Sequence, residues 1–131
     1  MNAEAAIKAS ISEVPKAVAA GLVDMDSGML LAVKTVDSHP QAVLDMVASA
    51  THDLFQGDNV MNIENMFKQI RGVTTAEHYF QEIIVASTNL WHFFGRLKQQ
   101  PTIVLIVVTR QDVNLGLVLM KCREITANTK V

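Results

Sequence analysis

Apolar residues recur along the chain at two spacings, one near the 3.6 of a helix and one near the 2 of a strand, and the switches between them outline the elements. In residues 3–13, Ile7 and Ile11, with Val14 just beyond, stand at i, i+4 and i+7 among alanines and polar residues. Pro15 then forbids continuation, which predicts a short amphipathic helix. Residues 17–23 are an uncharged run with no helical stripe. Asp24-Met-Asp-Ser-Gly28 supplies turn chemistry, and Met29-Leu-Leu-Ala-Val33 follows, so the segment reads as a β-hairpin. Both arms are apolar at consecutive positions, which leaves neither sheet face for water and calls for a helical layer on each side.

Ser38-His39-Pro40 marks the next start, with Pro tolerated in a first turn, and a helix is expected over residues 41–55. Val43, Val47, Ala50 and Leu54 form one apolar stripe there. Leu44, Ala48, Thr51 and Phe55 lie beside it, so the combined face is wider than one contact requires. Gly57-Asp-Asn59 interrupts, after which Ile63, Met66, Phe67 and Ile70 repeat at helical spacing up to Gly72, a C-terminal cap. A second, shorter helix is expected. From Tyr79 the period changes: residues 80–87 and 90–94 read as two strands around Thr88-Asn89, although the first also fits a helix. Arg96 to Pro101 reads as a turn, and residues 102–109, rich in β-branched side chains, as the most buried strand. The loop Arg110 to Asn114 offers two N-caps. Leu115, Val118, Leu119, Cys122 and Ile125 then define the core face of a last helix, with Lys121 and Arg123 placed toward its C-terminal end.

Length and composition narrow the class. The 131 residues suit one domain spanning 1–131, and 50% hydrophobic against 18% charged residues is a greasier balance than a self-sufficient monomer needs. Net charge is −2 with no basic run, so a nucleic-acid partner is not expected. The longest apolar block, residues 102–109, falls far short of the ~20 residues of a membrane helix. The first residues lack the pattern of a secretory signal and Cys122 is the lone cysteine, which together point to a cytoplasmic location.

Candidate chemistry is sparse. Cys122 sits on the core stripe of the last helix, where a thiol is structural rather than nucleophilic. His39, His52, His78 and His92 occur at no metal-ligand spacing, and Asp24 with Asp26 is better explained by turn formation than by a cation. There is neither a Gly-rich phosphate loop nor a Gly-x-Ser-x-Gly elbow. Gly116 could leave amides open at a helix start, but close packing of that helix onto its neighbours is the simpler account. No catalytic residue, cofactor site or metal site is expected.

Three stretches, in this order, resemble the Roadblock/dynein light chain family. Residues 18–32, Val-Ala-Ala-Gly-Leu-Val-Asp-Met-Asp-Ser-Gly-Met-Leu-Leu-Ala, are similar to its opening hairpin, and Val107-Val-Thr-Arg-Gln-Asp-Val-Asn-Leu-Gly, running on to Leu119, to its closing strand, acidic loop and last helix. The long helix fits between them. The resemblance implies an α/β, three-layer α-β-α fold of the profilin/Roadblock kind: a five-stranded antiparallel sheet in order 2-1-5-4-3, with the long helix on one face and the first and last helices on the other. It also implies a homodimer that pairs long helices and third, edge strands, which here correspond to residues 41–55 and about 80–87. The expected seam residues are Leu44, Val47, Ala48, Thr51, Phe55, Phe80, Glu82 and Ile84, the alternative being that the whole double stripe is intramolecular core.

The segment 57–72 is longer than the family's usual connection, so it extends the helix, caps the dimer or covers a partner surface. The functional class so implied is a non-catalytic adaptor or regulator of a small Ras-like GTPase or a larger scaffold. A small-molecule sensor with a ligand held against the sheet is the alternative from another class.

Overall fold

The computed structural model describes residues 1–37 and 41–131, the side chains of 41 and 42 excepted. Its elements run α1 (Ala3–Glu13), β1 (Ala17–Asp24), β2 (Met29–Thr35), α2 (Gln41–Gln56), α3 (Asp58–Arg71), β3 (Glu82–Ala86), β4 (Leu90–Leu97), β5 (Gln100–Arg110) and α4 (Leu115–Asn128). The strands form one antiparallel sheet in the order β2-β1-β5-β4-β3. The helix start expected at Ser38-His39-Pro40 lies outside the described residues.

Local chemistry accounts for the boundaries. Asn2 caps α1 by accepting from the Ala5 amide at 2.8 Å, and Asn114 caps α4 by accepting from the Leu117 amide at 3.2 Å. In the first hairpin the Asp24 carboxylate accepts from the Asp26 amide at 3.2 Å and the Ser27 hydroxyl at 2.8 Å, which confirms its role as a turn residue. Leu31 is an extra residue in β2, because Leu22 pairs with Ala32 while Val23 pairs with Leu30.

Two clusters divide the core between the sheet faces. Beneath α1 and α4, Ile7, Val14, Leu22, Phe93, Leu105, Val107, Val118, Cys122 and Ile125 pack together. On the α2 face, Val23, Met25, Ala48, Phe55, Phe94, Val104 and Ile106 form a smaller cluster. Strands β1, β4 and β5 contribute to both, as their consecutive apolar positions require.

Three expectations need correction. The run from Arg96 to Pro101 is not one long turn: β4 continues through Leu97, β5 begins at Gln100, and only Lys98-Gln99 turns. That turn docks on the end of α4, where the Lys98 amide donates to the Thr126 carbonyl and Gln99 Nε2 to the Ala127 carbonyl, both at 3.0 Å. Phe80 precedes β3 instead of lying in it. Lys121 and Arg123 lie mid-helix, because α4 extends to Asn128.

The segment after α2 is helical, as the spacing predicts, and two glycines delimit it. Gly57 passes so close to the Asp53 carbonyl that a Cβ there would stand 2.6 Å from that oxygen. Gly72 closes α3 in the left-handed region at φ 65°, and its amide donates to the Gln69 carbonyl at 3.1 Å.

Candidate interaction surface

Helix α2 presents its two apolar rows to different surroundings. Ala48, Thr51 and Phe55 face the sheet and are at most 1% exposed. The Thr51 hydroxyl is satisfied by its own helix, donating to the Val47 carbonyl at 2.8 Å. These three belong to the protein's own core, so the expectation that they meet a partner is corrected. Small Ala48 is what allows the helix to approach the sheet, and Phe55 fills the space beneath Arg96.

The row that faces outward is Val43, Val47, Ala50 and Leu54, joined by Met46, with the large side chains exposed from 39% at Leu54 to 73% at Met46. Leu44 is half-buried and faces the space between helix and sheet. Of the remaining expected residues, Phe80 and Ile84 are exposed, the latter on β3, which borders the sheet. Glu82 is held by its own chain: Arg123 on α4 donates Nε to Oε2 at 3.0 Å and Nη2 to Oε1 at 2.9 Å. The outward row was legible as a stripe in the sequence. Choosing between two neighbouring stripes required knowing which one the sheet claims.

Helix α3 packs by charge instead of by its apolar stripe. Glu64 is fully buried, accepting from the Tyr79 amide at 3.1 Å and standing 3.0 Å from His78 Nδ1. Close by, buried Arg96 donates Nε to the Phe80 carbonyl at 2.7 Å and Nη1 to the Pro101 carbonyl at 2.8 Å, with its guanidinium 5.1 Å from the centre of the Phe55 ring. Burial lowers the Arg96 pKa, while the Glu64 and Asp26 carboxylates act to raise it. This polar knot fastens α3 and residues 78–81 to the sheet. The apolar stripe of α3 therefore points away from the core, from 44% exposed at Ile63 to 77% at Ile70, with Phe67 stacked on Tyr79 at 5.8 Å.

A cavity of about 790 Å³ opens under the N-terminal half of α2. Ala19, Phe94, Ile106 and Val108 of the sheet form its floor and Leu44 part of its roof, while Asn89, His92, Arg110, Gln111 and Asp112 collect at one end. Burial lowers the pKa of His92, which favours the neutral ring; its Nε2 lies 3.0 Å from the Ser87 hydroxyl.

Cys122 lies in the core, with its pKa pushed up to about 12 by burial and by the nearby Glu82 carboxylate. Gly116 is exposed, and its nearest neighbour is the Asn114 cap oxygen, so helix capping and not interhelical packing explains it. Among the described residues no three His, Cys, Asp or Glu side chains converge as a metal site would require. None of the described helices is long and apolar enough to cross a membrane. His39 lies outside the described residues.

Strand order, the division of helices between the faces and the opening hairpin together point to one architecture, and solved structures share it. A gliding protein, MglB, from Thermus thermophilus superposes with a TM-score of 0.67 over 95% of this chain and 83% of its own, at 19% identity. A Roadblock/LC7 domain from Streptomyces avermitilis gives 0.66 over 96% of this chain and 92% of its own, at 13% identity. The chain has the Roadblock/LC7 fold. An MglB with a tetrameric arrangement shares this fold as well, at a TM-score of 0.68 and 20% identity over 95% of this chain and 82% of its own. No family model matches the sequence, and no curated protein does.

Proposed function

We propose that the protein is a non-catalytic, homodimeric adaptor or regulator, and that its dimer seam is formed by the outward row of α2 and by β3. The observation that carries this reading is the run Val43, Met46, Val47, Ala50 and Leu54, a helical face left without cover by its own chain. Contiguous exposed apolar surface of this kind marks association sites. The seam residues are accordingly Val47 with Val43, Met46, Ala50 and Leu54, together with Ile84 on β3. Phe80 lies beside that strand.

The partner class follows from the family resemblance and from the solved structures of the same fold, which include a gliding protein and a tetrameric assembly. It is a small Ras-like GTPase or a larger scaffold, met by the composite surface that a dimer presents. Light scattering at micromolar concentration tests the first step. The expected mass is twice the 14.4 kDa of one chain, and a stable 14.4 kDa species would contradict it. Capture of a GTPase in one nucleotide state only would support the regulatory step, and equal capture in both states would oppose it.

A further inference from the structure

The apolar stripe of α3 has no occupant in the adaptor reading. The helix meets the body along Val60, Met61, Glu64 and Lys68, which are buried or half-buried, and the polar knot fastens Glu64 there. Ile63, Met66, Phe67 and Ile70 stand on an adjoining side, at i, i+3, i+4 and i+7, and exposed Val73 follows the Gly72 cap. Turning this stripe inward would draw the Glu64 carboxylate away from its partners. The anchoring of the helix therefore holds the stripe in solvent.

Charge beside the stripe selects what covers it. Between Asn59 and Ala76 the one carboxylate is buried Glu64, whereas Lys68 and Arg71 are cationic, and the shoulder of Asn59, Asn62 and Gln69 is neutral. Lys98, on the turn between β4 and β5, lines the same concavity as Arg71, with Glu77 as the counterweight. None of these three cations has an ion-pair partner among the described residues. Asp58 lies in the first turn, about 15 Å along the axis from Lys68, where it suits the positive end of the helix. This face is thus locally cationic on a chain of net charge −2. A short helix with an apolar stripe and cationic and neutral shoulders is suited to lie flat in the headgroup layer of an anionic membrane.

We infer that α3 docks the protein on an anionic lipid surface, with Ile63, Met66, Phe67 and Ile70 entering the boundary between headgroups and acyl chains and with Arg71 and Lys98 at lipid phosphates. The helix lies on the bilayer and does not cross it. Its stripe shares no residue with the proposed seam of α2 and β3.

Co-sedimentation of the full chain with vesicles tests this. Vesicles of phosphatidylglycerol and phosphatidylcholine in equal parts should bind the protein, and phosphatidylcholine alone should bind it about thirtyfold more weakly. Ile70→Ser, at a position 77% exposed, should weaken binding to the anionic vesicles about tenfold. Arg71→Gln combined with Lys98→Gln should weaken it about thirtyfold and leave binding to phosphatidylcholine unchanged. Both variants are checked for a native circular dichroism spectrum. Absence of binding to the anionic vesicles would overturn the proposal, as would equal affinity for the two vesicle types or unaltered binding by Ile70→Ser. In lipid-free solution Ile70→Ser should keep the mass of the unaltered protein by light scattering, and a lower mass would show that a second copy covers the stripe, which also overturns it. The mass of the unaltered protein reports on the seam alone, so failure of the dimer and failure of lipid docking are seen separately.

Discussion

At the scale of single residues, the position that organises most of its surroundings is Arg96. Its guanidinium joins the Phe80 and Pro101 carbonyls, the Gln56 side chain at 3.3 Å and the Phe55 ring, and so links α2, the segment before β3 and strands β4 and β5. Arg96→Ala should therefore cost about 3 kcal/mol in urea unfolding, because two buried carbonyls lose their donor and Glu64 loses the nearby positive charge. Lysine should not restore it, since one ammonium cannot span the same acceptors. Cys122 illustrates the opposite case, a reactive residue type made inert by place. With its pKa pushed up to about 12 and its side chain buried, it should resist a disulfide-exchange reagent at pH 8 in the native protein and react within seconds in denaturant. Rapid native labelling would show that α4 opens readily.

At the scale of elements, most of the fold was legible because period and punctuation agreed. The α1 stripe ended by Pro15, the Asp24–Gly28 turn, the Asn114 cap and the glycines around α3 all fall where the chain pattern places them. What the pattern could not show was which of two adjacent faces turns inward. In α2 both rows are apolar, and the sheet takes the one with Ala48 and Phe55. In α3 the inward position is Glu64, which no hydrophobic pattern reveals, because its partners are a backbone amide and a histidine more than a dozen residues away. Arg96 hid the end of β4 in the same way, as a charge inside a strand looks like a turn until its acceptors are known. Glu64→Ala should loosen α3 and residues 72–81 selectively. Amide exchange there should quicken while β1, β4 and β5 stay protected, and uniform quickening throughout the sheet would show that the knot supports the whole core.

At the scale of the whole molecule, the surplus of aliphatic residues over charged ones now has two destinations. Part lies in a core built on both faces of one sheet, and part lies outside it, on the outward row of α2 and the stripe of α3. A Roadblock/LC7 fold with an apolar helix face left open is the physical basis for reading the protein as one half of a dimer. The α3 stripe adds further exposed apolar area. A seam on the Val47 row and a seam on the Ala48 row are separated by paired substitutions, and the proposed dimer uses the Val47 row. Val47→Asp should leave the melting temperature of the fold nearly unchanged and yield a folded 14.4 kDa monomer by light scattering, whereas Ala48→Glu should unfold the chain. A Val47→Asp protein that remains a dimer of twice 14.4 kDa would contradict the account.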